Sequence, residues 1–227
     1  MCAHSAARCF ATAATAGCSC ITTAPSRTMR RGASVARWPS ECGEHHSSSL
    51  PADLRRGTPE DAMTVAALAM QVFLDTYAAE GVGQALAREA FEQYSAEAFA
   101  SRFAESRRRF VLAERQGQLV GFAEVVVADL PAPVPDVHGA ELVRLYVQPQ
   151  AQGSGIGKVL LAQAEQLVAE ASLPALWITA WEGNRRARAF YAAAGYADTG
   201  ATMHAMQGHA YANRVLAKSL RPGGRAP

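Results

Sequence analysis

A chain of 227 residues, 49% hydrophobic and 19% charged, is long enough for one well-packed domain with some chain to spare. The first 51 residues hold five arginines and two glutamates, which leaves 17 basic and 18 acidic groups in the rest and no electrostatic reason to expect a nucleic-acid partner. No run of about 18 strongly apolar residues occurs, so no membrane partner is expected, and all five cysteines fall within the first 42 residues, which denies the remainder a thiol nucleophile and fits a reducing, cytoplasmic setting.

Residues 1–51 are rich in Ala, Ser, Thr and Arg and lack sustained periodicity, the mark of a disordered tail or of a leader upstream of the true start, with Met29 as an alternative initiator. Three sharper readings compete for this segment. Its arginine-rich, acid-poor composition is that of a transit peptide. The "TAGC" ending at Cys18 resembles a lipoprotein cleavage site, but Thr15 stands where a leucine is wanted. Cys18, Cys20, Cys42, His45 and His46 could ligate a metal, yet their spacing matches no standard zinc pattern, and no metal is expected.

From Leu54 the texture changes. A short strand leads to a helix that Thr58 can cap, with Pro59 at its first position and Val65, Leu68, Val72 and Phe73 as its buried stripe. Two further helices follow, through "QALAREAFEQY" and through "SAEAFASRFAES" with Ser95 as cap. The period then switches to two in "RFVLAERQGQLVGFAEVVVADL", a hairpin turning at residues 115–118. "PAPVPD" is expected to be an exposed loop, and "AELVRLYVQP" a strand stopped by Pro149. A helix over roughly 155–171, the buried strand "ALWITAW" and a helix from Asn184 to Gly195 come next, before two last strands. The order β-α-α-α-β-β-β-α-β-α-β-β predicts an α+β (α/β three-layer) domain over 52–221 with a mixed sheet, followed by a flexible 222–227.

The stretch "QAQGSGIGKVLL" carries the chemistry. A Walker loop is excluded because Gln152 replaces its first glycine and Val159 its hydroxyl, and the dinucleotide pattern G-x-G-x-x-G fails in both registers. The pattern Q/R-x-x-G-x-G/A is met throughout by Gln152, Gly155 and Gly157. A strand ending at Val147, a turn without bulky side chains and a helix starting near Gly155 would aim unpaired N–H groups at one spot, which suits a pyrophosphate.

"ELVRLYVQPQAQGSGIGKVLL" followed by "LWITAWEGNRRARAFYAAAGY" resembles motifs A and B of the GNAT acetyltransferase superfamily, and the element order extends the resemblance over residues 53–220. The resemblance implies a mainly antiparallel, GNAT-like sheet flanked by helices, splayed between strands 140–147 and 175–181, and acetyl-CoA as cosubstrate. Pantetheine would bond the backbone of Leu145 and Val147, and the pyrophosphate the amides of Gln152, Gly153, Ser154, Gly155, Ile156, Gly157 and Lys158. Asn184 would contact the cofactor arm, or simply cap its helix. Tyr191 matches the tyrosine that protonates the departing thiolate, and backbone N–H groups from Leu145 to Val147 would polarise the carbonyl. Glu141 is the first choice of base and Glu124 the second, and either could instead pair with Arg144.

The amine acceptor is less legible. Wording such as "MQVFLDTYAAEG" resembles the PaiA-type polyamine acetyltransferases, for which Asp75, Glu80 and Glu182 would supply carboxylates. Against this, "QGHAYANRV" reads as a loop between the last strands with His209, Tyr211 and Arg214 and no acid. His204 and His209 read as exposed or structural. A small-molecule amine is the favoured acceptor; a non-catalytic CoA-sensing domain and a protein acetyltransferase are the alternatives. The family often forms homodimers through its last strands, a role "RVLAKSL" could fill.

Overall fold

The computed structural model describes residues 52–78, 80–206 and 209–220. Residues 1–51 with all five cysteines, residues 79, 207–208 and 221–227, and the His209 side chain lie outside that description. The elements follow the predicted order. They are β1 (Asp53–Arg56), α1 (Ala62–Tyr77), α2 (Gln84–Gln93), α3 (Ala96–Phe103), β2 (Arg108–Arg115), β3 (Gln118–Pro131), β4 (His138–Val147), α4 (Ile156–Glu170), β5 (Ala175–Trp181), α5 (Arg185–Ala193), β6 (Ala197–Met206) and β7 (His209–Ser219).

Local chemistry explains the boundaries. The backbone N–H of Thr58 donates to Asp61 Oδ2 at 2.8 Å, closing a short 3₁₀ turn that feeds α1. Ser95 Oγ accepts from the Ala98 N–H at 3.1 Å and starts α3. The β2–β3 hairpin turns on two residues, Gln116 and Gly117, both at positive φ, the geometry that matches the twist of the strands it joins.

One seven-stranded sheet, in the order β1-β2-β3-β4-β5-β7-β6, organises the molecule. Every neighbouring pair is antiparallel except β4 and β5. Helices α1–α3 cover one face of β2–β4 through Val65, Phe73, Phe99, Phe122 and Tyr146; α4 and α5 cover the other through Leu142, Leu145, Leu160, Ala164 and Tyr191. "PAPVPD" is only partly the exposed loop expected. Ala132 and Val137 are buried, joined by an N–H to carbonyl bond of 2.8 Å, and they pack with Trp177, Val215 and Ala217 over β5 and β7. Trp177 secures this corner by donating its indole N–H to the carbonyls of Leu130 and Gly139.

Two irregularities in β4 shape the centre of the sheet. Its parallel pairing to β5 is confined to Ala140 opposite Leu176 and Glu141 opposite Trp177, after which the strands part. Against β3, Val125 faces Leu142 but Glu124 faces Arg144, so Val143 is an extra residue. A bulge offsets side-chain alternation by one. Ala140 and Leu142 therefore share the α4 face with Leu145 and Val147, although their parity differs. Glu141 is thrown to the opposite face, the one carrying Arg144, Tyr146 and Trp177.

Candidate active site

Between the parted ends of β4 and β5 lies a cavity of about 250 Å³. Its walls are Leu145 and Val147 from β4, the glycine turn with Gln152, Gly153, Gly155, Gly157 and Lys158, and Arg186, Phe190 and Tyr191 from α5. Eight predicted residues thus meet in one cleft. Arg186 and Phe190 were not among the expected cleft residues, and only the convergence of α4 and α5 brings them there. Lys158 and Arg186 are both exposed, so the mouth of the cleft is cationic.

The glycine turn is built by conformation and by its own hydrogen bonds. Gly153 and Gly155 sit at φ of +81° and +88°, where a side chain is strained even though a Cβ would meet nothing within 4 Å. Gly155 is the cap of α4, and the first-turn amides of a helix lack intrahelical acceptors. Ser154 Oγ donates to the Ala151 carbonyl at 2.6 Å, and Gln152 Nε2 donates to the Val147 carbonyl at 3.0 Å. These two side chains staple the turn to the end of β4. Arg115 reaches in from the β2–β3 hairpin, its guanidinium donating to Ser154 Oγ at 3.3 Å. Ile156 faces the core, so the cleft can use only its backbone.

On α5, Asn184 Oδ1 accepts from the Ala187 N–H at 3.0 Å, which makes the capping role real. Tyr191 lies two turns on, buried at 1% exposure, with ring centroids 5.2 Å from Phe190 and 5.6 Å from Tyr196. Its position on the cleft wall is what a proton donor to a bound thiolate requires.

The two carboxylates part company. Glu124 is fully buried on β3 and forms ion pairs with Arg144, at 2.5 Å, and with Arg108. Burial alone would raise its pKa, but Arg144, Arg108 and Arg102 outweigh it and hold the carboxyl below the usual range. Each carboxylate oxygen accepts from a guanidinium in a fully buried site, which opposes proton transfer there. The pairing with Arg144, expected as the alternative to a role as second-choice base, is present. Glu141 is nearly as buried, on the face opposite α4, opposite Trp177 in the β4–β5 register. It does not line the cleft itself.

The acceptor-side expectations are also revised. Residues 209–214 are the start of β7, not a loop, and Arg214 is held by Asp198 at 2.6 Å. Asp75, Glu80 and Glu182 are exposed and stand outside the cleft. His204, on β6 opposite Tyr211, is half-buried, and desolvation lowers its pKa. Among the described residues no three His, Cys, Asp or Glu side chains gather as a metal site, and no helix is long and apolar enough to cross a membrane.

The profile of the acetyltransferase (GNAT) family matches residues 79–196, more than half of the chain. The protein is a member of the GNAT family. An N-acetyltransferase from the pepI 3′ region of Lactobacillus delbrueckii subsp. lactis is 27% identical over 129 residues, 57% of this chain and 75% of its own. The crystal structure of the PaiA N-acetyltransferase of Thermoplasma acidophilum with coenzyme A superposes with a TM-score of 0.62 at 22% identity, over 75% of this chain and 99% of that one. A Salmonella typhimurium acetyltransferase bound to acetyl-CoA gives 0.55 at 15% identity, over 78% and 99%. At such identities these two structures establish the fold. As a GNAT protein the chain is an acyl-CoA-dependent acyltransferase with acetyl-CoA as cosubstrate, and the glycine turn and cleft provide a matching anion cradle.

Proposed function

We propose that this GNAT protein transfers an acetyl group from acetyl-CoA to the primary amine of a small molecule by direct attack. The observation that carries the reading is the junction of three parts in one cleft: the cationic glycine turn, the end of β4 at Leu145–Val147 beyond its pairing with β5, and Tyr191. When bound, acetyl-CoA supplies the activated thioester. The residues of this chain then have separable tasks. Amides of the turn and of α4, with Lys158 and Arg186, hold the phosphates. The backbone N–H groups of β4 near Leu145 polarise the carbonyl. Tyr191 delivers a proton to the leaving sulfur. Glu141, on the opposite face of β4, removes a proton from the incoming ammonium, which must become an amine before it can attack.

A polyamine is the sharper form of the acceptor proposal. The objection from a basic terminal loop falls away, because Asp198 neutralises Arg214 and both lie in strands. Thiol release from acetyl-CoA across spermidine, spermine, amino acids, an aminoglycoside and a lysine peptide tests the reading. Turnover with one class, lowered roughly 10²-fold or more in Tyr191→Phe with CoA affinity unchanged, is expected. Absence of CoA binding by calorimetry would overturn it.

A further inference from the structure

Strand β4 has two conflicting tasks. It must pair with β5 as far as Glu141 and then leave β5, while staying bonded to β3 along its whole length. The change occurs across the single extra residue Val143. The first pair beyond it, Glu124 opposite Arg144, is also an ion pair of 2.5 Å between side chains 0% and 1% exposed. Arg108 on β2 holds the second oxygen of Glu124, and the Arg144 guanidinium lies 5.5 Å from the Tyr94 ring and 5.7 Å from that of Phe99. The pair is clamped from the neighbouring strand and from the helices above.

Apolar residues cannot fix this point. Ala140, Leu142, Val143, Leu145 and Val147 offer hydrophobic side chains of both parities, so a one-residue slip exchanges one apolar contact for another. The charged residues are different. Erasing the bulge by moving the segment before it would drive Glu141 into the core under α4, and moving the segment after it would do the same to Arg144. Either places an unpaired charge among Leu160, Ala164 and their neighbours. Fixing register is the best-attested use of a buried ion pair.

We infer that Glu124 and Arg144 are positioning residues whose ion pair pins the bulge in β4, so that the strand parts from β5 after Glu141 and presents Glu141 to the acceptor face. A regular β4 could continue its parallel pairing with β5 and close the cleft between them. The functional part of the inference rests on the acetyl-CoA cleft proposed above; the register part does not.

The test uses the full chain with three sets of substitutions. Glu124→Gln removes the carboxylate shared by Arg144 and Arg108 and is expected to fold poorly, so the decisive variant is the double replacement Glu124→Leu with Arg144→Met, which removes both charges at similar volume. It is expected to stay folded, with a urea midpoint near that of the parent. Its CoA affinity, read by calorimetry, should fall roughly ten-fold or more, as displaced binding groups require. Arg144→Lys, which keeps the charge pair, should retain affinity within about three-fold. Cross-strand NMR contacts of Glu124–Arg144 and Val125–Leu142 report the bulge without any ligand, and the double variant should lose one of them. A folded double variant that keeps both contacts, or binds CoA like the parent, overturns the inference. A parent that binds no CoA while the double variant loses the register sinks the proposed function and leaves the positioning role standing.

Discussion

Gly139 is the second residue of β4, just before its pairing with β5, and replacing it with alanine should be among the most damaging small changes available. Its φ is +151°, a region that residues with a Cβ rarely enter, and the strain of holding alanine there is about 1–3 kcal/mol. The new Cβ would stand 2.2 Å from the carbonyl oxygen and 2.8 Å from the carbonyl carbon of Ala175. Both belong to backbone, so no rotamer relieves the overlap and β4 must move away from β5. That movement acts on the only register the two strands share, at Ala140–Leu176 and Glu141–Trp177, where each ladder hydrogen bond contributes about 0.5–1.5 kcal/mol. The combined cost is about 3–5 kcal/mol, a large share of the roughly 5–15 kcal/mol that stabilises a domain. With a urea slope of about 2 kcal/mol/M, the unfolding midpoint should drop by roughly 2 M. Gly117→Ala is the control. It also has positive φ, +72°, but open space where the Cβ would go, and should cost only about 1 kcal/mol. If Gly139→Ala costs no more than Gly117→Ala, the account of a tightly closed β4–β5 junction is wrong.

Three further outcomes follow from the same geometry. Glu124→Gln should cost about 3–5 kcal/mol at neutral pH, because it removes the buried carboxylate that both Arg144 and Arg108 hold. Since the native pKa of Glu124 lies below its ordinary 4.5, its contribution is present above that value and lost as pH falls through the lower native one. The acid limb of the stability curve, followed by circular dichroism, should flatten in the variant; an unchanged limb would contradict the pairing. Arg186→Ala should weaken CoA binding several-fold at low salt and much less at high salt, as screening of an exposed cation requires, and a salt-independent change would point to a lost packing role. Leu160, fully buried between α4 and the sheet, should cost about 2–5 kcal/mol when cut to alanine in a urea titration.

Much of this protein was legible in its sequence because the relevant signals are local. Helical periodicity, the Ser95 and Asn184 caps and the Gln116–Gly117 turn each act within a few residues, and they set the order of elements. The glycine turn was readable for the same reason, since strand end, left-handed glycines and helix start are contiguous in the chain. Tyr191 was proposed only through the resemblance of its helix to motif B of the GNAT superfamily. Tertiary structure decided what depends on contacts between distant segments. Arg186 joined the cleft only when α5 packed beside α4. Arg214 lost its presumed freedom to Asp198, 16 residues away. The two glutamates looked alike to local pattern, each a carboxylate in an apolar strand, and only the family resemblance ranked Glu141 above Glu124. Glu124 found Arg144 20 residues on and became structural. Glu141 was turned away from α4 by a one-residue bulge between Leu142 and Arg144, onto the face that also carries Arg144, and no pattern of apolar residues could announce it, because Leu142 and Val143 are equally content on either side of the sheet.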